Sequence, residues 1–159
     1  MEERDFVIVV DSQEAKYPYL FSGELIIRKP LLVDGVRTGD YSVQGFEKQI
    51  TVERKTITDL YSSLSQRRTK FMEEMWKLQY FESKALVIEG TYDQVINPPR
   101  TSYVKKYSKI HRNSVLGSLV KINMEFGITV IFAGNRRNGE EWTLHTLKMF
   151  FNKKRKGEM

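Results

Sequence analysis

The sequence predicts an α/β fold: a central mixed β-sheet flanked by helices. Three observations carry this. The runs "FVIVV", "ALVIEG" and "GITVIFAG" are short, rich in β-branched residues and cut off by an acid or a glycine, as strands buried on both faces are. Between them, apolar residues recur at spacings of three, four and seven, the period of an amphipathic helix. The strands come first, followed by helix, strand, helix, strand and helix, an order that suits helices packed on a sheet.

Phe6 to Val10 is expected as the first strand, stopping at Asp11. "ELIIRKPLLVDGVRTGDYSV" reads as further strands, broken by Pro30, by an Asp34-Gly35 turn and by Gly39. "KQITVERK" alternates and reads as another strand. From Thr58 the spacing of Leu60, Leu64, Phe71, Met75 and Leu78 predicts one long helix ending near Phe81. "ALVIEG" is a buried strand and "NPPR" a break. Ser114 is the expected cap of a helix carrying Val115, Leu119, Ile122 and Phe126. After "GITVIFAG" a helix should run from about Asn138 to Phe151, with Leu144, Leu147, Phe150 and Phe151 facing the core. There is no internal repeat and no interdomain linker. Residues 1–152 are expected to form one domain and 153–159 a flexible basic tail.

The 159 residues suit a single domain with a sizeable core, and 40% hydrophobic content excludes a disordered chain. With no cysteine, disulfides and thiolate zinc sites are ruled out, which fits a reducing compartment. No apolar run approaches the roughly 20 residues of a membrane span, and "MEERDF" lacks the apolar centre of a signal peptide. The expectation is an intracellular protein without a membrane partner. A net charge of +6 favours a polyanion, nucleic acid being the commonest.

"VERKTITD" packs two acids and two bases into eight residues, from Val52 to Asp59. On a strand, alternation puts Glu53 and Lys55 on one face and Arg54 on the other. Asp40 lies on a preceding strand, so pairing of the two would bring it towards Glu53. Hard divalent cations such as Mg²⁺ take carboxylate oxygens and keep several waters. Two carboxylates can hold such an ion, which activates water and offsets charge on a phosphate; a nearby lysine can orient the water or touch the phosphate. The same residues have plain structural readings. Lys55 suits a solvated strand end, and Thr56-x-x-Asp59 resembles a capping box that favours the positive end of a helix dipole. A second acidic pair, Asp11 and Glu14, follows the first strand, where ligands meet α/β sheets; alternatively Asp11 caps a short helix.

In order, "VDSQE", "GDY", "VERKTITDL" and "LVIEG" resemble the nuclease domain of the XPF-type (xeroderma pigmentosum group F) structure-specific endonucleases. The likeness runs from about Val7 to Phe151 and is closest to stand-alone bacterial or phage versions. It implies a restriction-endonuclease-like fold and Mg²⁺- or Mn²⁺-dependent cleavage of DNA near single/double-strand junctions, in repair, recombination or replication. If the host is bacterial or a phage, that means the cytoplasm or nucleoid. By the resemblance, Asp40 and Glu53 are metal ligands, Asp11 is a direct or water-mediated ligand, and Glu14 is a supporting acid. Lys55 serves the attacking water or the phosphate, while Arg54 and Asp59 brace the catalytic site. Three features depart from the family pattern. Gln13 stands where arginine is frequent, removing a supporting charge; Arg67 stands where glycine is frequent; and no helix-hairpin-helix segment follows.

"PRTSYVKKYSKIHR" interleaves Arg100, Lys105, Lys106, Lys109 and Arg112 with Tyr103 and Tyr107. Cations neutralise phosphates and tyrosines stack on exposed bases, although a solvated face reads the same way. Arg67, Arg68 and Lys70 follow the acidic motif and are further DNA-binding candidates, of which Arg68 matches a family arginine. The resemblance also implies a homodimer through C-terminal helices. A noncatalytic DNA-binding or scaffold partner of the same fold is the alternative; such relatives have typically lost the acids that this chain keeps.

Overall fold

The computed structural model describes residues 4–14, 17–98 and 109–157. Six strands form one mixed sheet: β1 (Val7–Asp11), β2 (Leu25–Lys29), β5 (Tyr41–Val43), β6 (Ile50–Lys55), β7 (Ser83–Ile88) and β8 (Thr129–Phe132), in the spatial order β2-β1-β5-β6-β7-β8. β5 runs antiparallel to both β1 and β6, whereas the β1–β2, β6–β7 and β7–β8 pairs are parallel. β3 (Leu32–Val33) and β4 (Val36–Arg37) form a separate hairpin. Its turn residues, Asp34 and Gly35, both have positive φ, 52° and 77°, which matches the twist of a tight hairpin.

The helices are α1 (Ile57–Leu64), α2 (Arg68–Leu78), α3 (Tyr92–Ile96), α4 (Arg112–Met124) and α5 (Arg136–Arg155). One apolar core joins α1 to α4 with Leu86 and Ile88 of β7. A second joins Leu147, Phe150 and Phe151 of α5 with Ile8, Val10, Val52, Val87 and three aromatic residues: Tyr19 and Tyr41 are stacked, and Phe21 meets both edge-on. Alternating residues of the central strands therefore feed two cores, the reason their sequences read as unbroken apolar runs.

Three expectations are corrected, and one helix is new. The helix expected from Thr58 to Phe81 is two helices, separated at Ser65, Gln66 and Arg67. Ser65 leaves helical geometry with ψ −85°, and both its N–H and its hydroxyl donate to Tyr61 O, at 3.0 and 2.6 Å. Leu64 and Phe71 still reach the same core, so the apolar spacing could not reveal the break. The helix before β8 is capped by His111, whose Nδ1 accepts from Asn113 N–H at 3.0 Å, and not by Ser114. α3 was not anticipated; Thr91 and Gln94 cap it reciprocally. The last helix is longer at both ends than expected, so Lys153, Lys154 and Arg155 of the supposed flexible tail continue α5, and Lys154 pairs with Glu82 at 2.9 Å.

Candidate active site

Backbone pairing gathers the acids. Asp11 is the last residue of β1, and its N–H donates to Asp40 O at 2.8 Å; Asp40 N–H in turn donates to Val52 O at 2.9 Å. Tyr41 pairs with Val52, and this register sets Asp40 beside Glu53. Gly39 makes this approach feasible. Its φ is +120°, and a Cβ there would overlap Thr51 Oγ1. Asp11, Asp40 and Glu53 are 1%, 3% and 2% exposed, a concentration of buried acid that needs compensation.

Arg37, at the end of the β3–β4 hairpin, supplies much of it. Its Nε lies 3.1 Å from Asp11 Oδ2, its Nη1 lies 3.5 Å from Glu53 Oε1, and its Nη2 pairs closely with Asp40 Oδ1. The hairpin is itself tied to Asp11, because Leu31 N–H donates to Asp11 Oδ1 at 2.8 Å and Thr38 N–H closes onto Leu31 O at 3.0 Å. Sequence reading missed Arg37: it sits in a turn-rich segment and joins no periodic pattern. It brings a guanidinium to the acids although position 13 is glutamine, whose N–H donates to Asp11 Oδ2 at 3.2 Å.

Burial pushes the Asp40 carboxyl well above the usual aspartate range, with the charges of Glu53 and Glu14 adding to it and Arg37 and the Arg54 N–H opposing. Arg37 holds its proton more tightly than usual: burial works against its charge, and Glu53, Asp40 and Asp11 more than offset that. Glu14 stands beside the cluster and accepts from the Tyr41 hydroxyl, which burial and the Glu14 charge hold protonated. Asp11 caps no helix: residues 12–13 form a turn, with Glu14 N–H bonded to Asp11 O at 2.9 Å.

Lys55 shares the Glu53 face. Its Nζ is 3.7 Å from Glu53 Oε1 and 5.2 Å from the centre of the Phe71 ring on α2. Arg54 points to the other face, where its Nε meets Glu89 Oε2 at 3.0 Å and its guanidinium lies 4.2 Å over the Tyr19 ring. The Tyr19 hydroxyl donates to the same Glu89 oxygen at 2.5 Å. Arg54 also acts through its backbone, donating to Asp40 Oδ2 at 2.7 Å. The layer behind the acids is thus Arg54, Glu89 and Tyr19; the last two went unassigned in the sequence, although Glu89 is the acid of "LVIEG". Asp59 is exposed in the first turn of α1, and its N–H donates to Thr56 Oγ1 at 3.1 Å. This is the capping geometry, and it places Asp59 at a helix start.

Among the proposed DNA contacts, Arg67, Arg68 and Lys70 are exposed at the start of α2. Arg68 and Lys109 line an open cavity of about 740 Å³ together with Ser65, Gln66, Ser114 and Gly117. Arg112 is exposed at the start of α4, 3.1 Å from Asn97 Oδ1. Arg100, Tyr103, Lys105, Lys106 and Tyr107 lie outside the described residues.

The family model for the ERCC4 domain matches residues 5–146. A protein of Methanocaldococcus jannaschii, named for an ATP-dependent RNA helicase, is 27% identical over 128 residues, which make up 80% of this chain and 14% of that protein. The fold is similar to XPF from Aeropyrum pernix, with a TM-score of 0.67 and 20% identity over 91% of this chain and 65% of that one. The same protein in complex with DNA gives a TM-score of 0.63 and 21% identity over 94% of this chain and 66% of the other. The chain thus spans a small part of the helicase relative and under two thirds of the solved XPF chains.

Proposed function

We propose, from the premise that the chain belongs to the ERCC4 domain family of nucleases, that it is a Mg²⁺- or Mn²⁺-dependent endodeoxyribonuclease acting near branched or single/double-strand junctions. The observation that carries this reading is the convergence of buried Asp11, Asp40 and Glu53 with Lys55 at neighbouring strands of one sheet. Among the described residues, no three acid or histidine groups stand as a ready-made metal cage. The donor set nevertheless suits a hard ion. Its atoms are all carboxylate oxygens, and Mg²⁺ sites commonly use one or two carboxylates with waters and substrate phosphate.

In this reading Asp40 and Glu53 would hold the ion, Asp11 would hold it directly or through water, and Glu14 would add negative charge. The chemistry such an ion supplies is Lewis acidity at the phosphate and a more acidic attacking water. Lys55 orients that water or contacts the phosphate. As the water oxygen bonds to phosphorus its proton passes to solvent, and the opposite P–O bond breaks with its electron pair leaving on oxygen. Arg54, held by Glu89 and Tyr19, fixes Asp40 through its N–H, and Asp59 braces the site from the helix start.

Arg67, Arg68, Lys70, Lys105, Lys106 and Arg112 provide cations for the DNA backbone, and for Arg68 the cavity it lines with Lys109 supports this assignment. The domain expected over residues 1–152, with α5 continuing to Arg155, acts as the nuclease unit, in DNA repair, recombination or replication inside the cell. A homodimer through α5 fits the exposed Met149 on that helix. Asp40→Asn and Glu53→Gln are expected to abolish cleavage in Mg²⁺ and Mn²⁺ while DNA binding survives. Normal cutting by either variant would overturn the metal assignment; a wild-type protein that binds DNA and cuts none would favour the scaffold reading.

A further inference from the structure

The Asp11, Asp40 and Glu53 oxygens that face one another are already engaged by a cation. Arg37 reaches Asp11 Oδ2, Asp40 Oδ1 and Glu53 Oε1 with three different nitrogens. The remaining oxygens of the two aspartates are committed to the backbone: Asp11 Oδ1 accepts Leu31 N–H at 2.8 Å, and Asp40 Oδ2 accepts Arg54 N–H at 2.7 Å. An ion bound by these aspartates must therefore share or take the atoms that the guanidinium holds. The planar fork of arginine can span several carboxylates in a way that a single ammonium cannot. Its side chain is 26% exposed, against 2%, 4% and 3% for the acids it bridges, so it has a route outward that they lack.

We infer that Arg37 is a resident cation of the carboxylate cluster, which competes with the divalent ion and must yield these oxygens before the ion is fully bound. It keeps three buried acids folded when metal is absent, and it weakens metal affinity in doing so. The inference rests on the metal reading above, and its test separates the two.

Mn²⁺ binding is measured without DNA, by the electron paramagnetic resonance signal of free Mn²⁺, for wild type, Arg37→Gln and Arg37→Lys; melting temperatures are recorded in EDTA and in saturating Mn²⁺. Competition predicts that Arg37→Gln binds Mn²⁺ at least tenfold more tightly than wild type, with Arg37→Lys in between. It also predicts that Arg37→Gln melts below wild type in EDTA and gains more from Mn²⁺, since a ligand bound only by the folded state stabilises it in proportion to affinity. If Arg37→Gln does not fold without metal, Arg37→Lys carries the comparison. Wild-type Mn²⁺ binding that is unchanged or weakened in the folded variant overturns the competition alone. No Mn²⁺ binding by any of the three proteins overturns the metal reading, and the competition with it.

Discussion

Asp40 shows how much one position depends on its neighbours. Its backbone joins β1 to β6, one carboxylate oxygen accepts from Arg54 and the other meets Arg37. The residue before it must be glycine for two independent reasons, a φ of +120° and the space taken by Thr51 Oγ1. That oxygen cannot move away freely, because it donates to Thr38 O. Gly39→Ala should therefore destabilise the fold by about 3 kcal/mol, combining left-handed strain with overpacking. Urea denaturation followed by circular dichroism checks this, and a midpoint equal to wild type would contradict it. Glu89 acts at one remove. Glu89→Gln would leave Arg54 over Tyr19 without its buried counter-charge, and we expect lower turnover with little change in DNA affinity, measured by single-turnover cleavage and by fluorescence anisotropy. A loss confined to DNA affinity would show that Glu89 serves the DNA and not Arg54.

At the scale of elements, the break between α1 and α2 matters more than the helices themselves. It ends one helix at Leu64, starts the next at Arg68, and leaves room for the cavity shared with α4. Gly117 sits within α4, and a Cβ there would meet nothing within 4 Å. A mid-helix glycine costs helix stability, yet no packing requires this one; it lines the cavity beside Arg68 and Lys109. Gly117→Ala is thus expected to stabilise the protein by about 1 kcal/mol and leave DNA binding alone. Gly117→Glu sets a negative charge among Arg68, Lys109 and Ser114 and should weaken DNA binding roughly tenfold at low salt, and less at high salt. Anisotropy titrations at two salt concentrations separate these outcomes; equal affinity for all three proteins would remove the cavity from the DNA path.

For the whole molecule, two apolar cores on opposite faces of one sheet hold the strands that carry the acids. The sheet thus fixes the site, while Arg67, Arg68, Lys70 and Arg112 lie at the starts of α2 and α4. A panel of labelled flap, fork, bubble, Holliday-junction and duplex DNAs, with Mg²⁺ or Mn²⁺, should show cutting of branched forms ahead of plain duplex. Equal cutting of all five would leave a nuclease without junction preference.

What the sequence determined by itself is the part set by local periodicity. A period of two placed Glu53 and Lys55 together and Arg54 opposite, and the β-branched runs located the central strands. The order of strands and helices indicated the fold class. These hold because a strand fixes its side-chain faces whatever it later packs against. Tertiary structure alone decided the partners. Arg37 reached the acids through the geometry of a hairpin, Arg54 met Glu89 across the parallel β6–β7 pair, and the long helical pattern split in two where Ser65 leaves helical geometry. Such contacts join residues through register and turn shape, which leave no period in the sequence. The chain thus displays the acids of the site, and only the fold discloses the guanidinium that holds them.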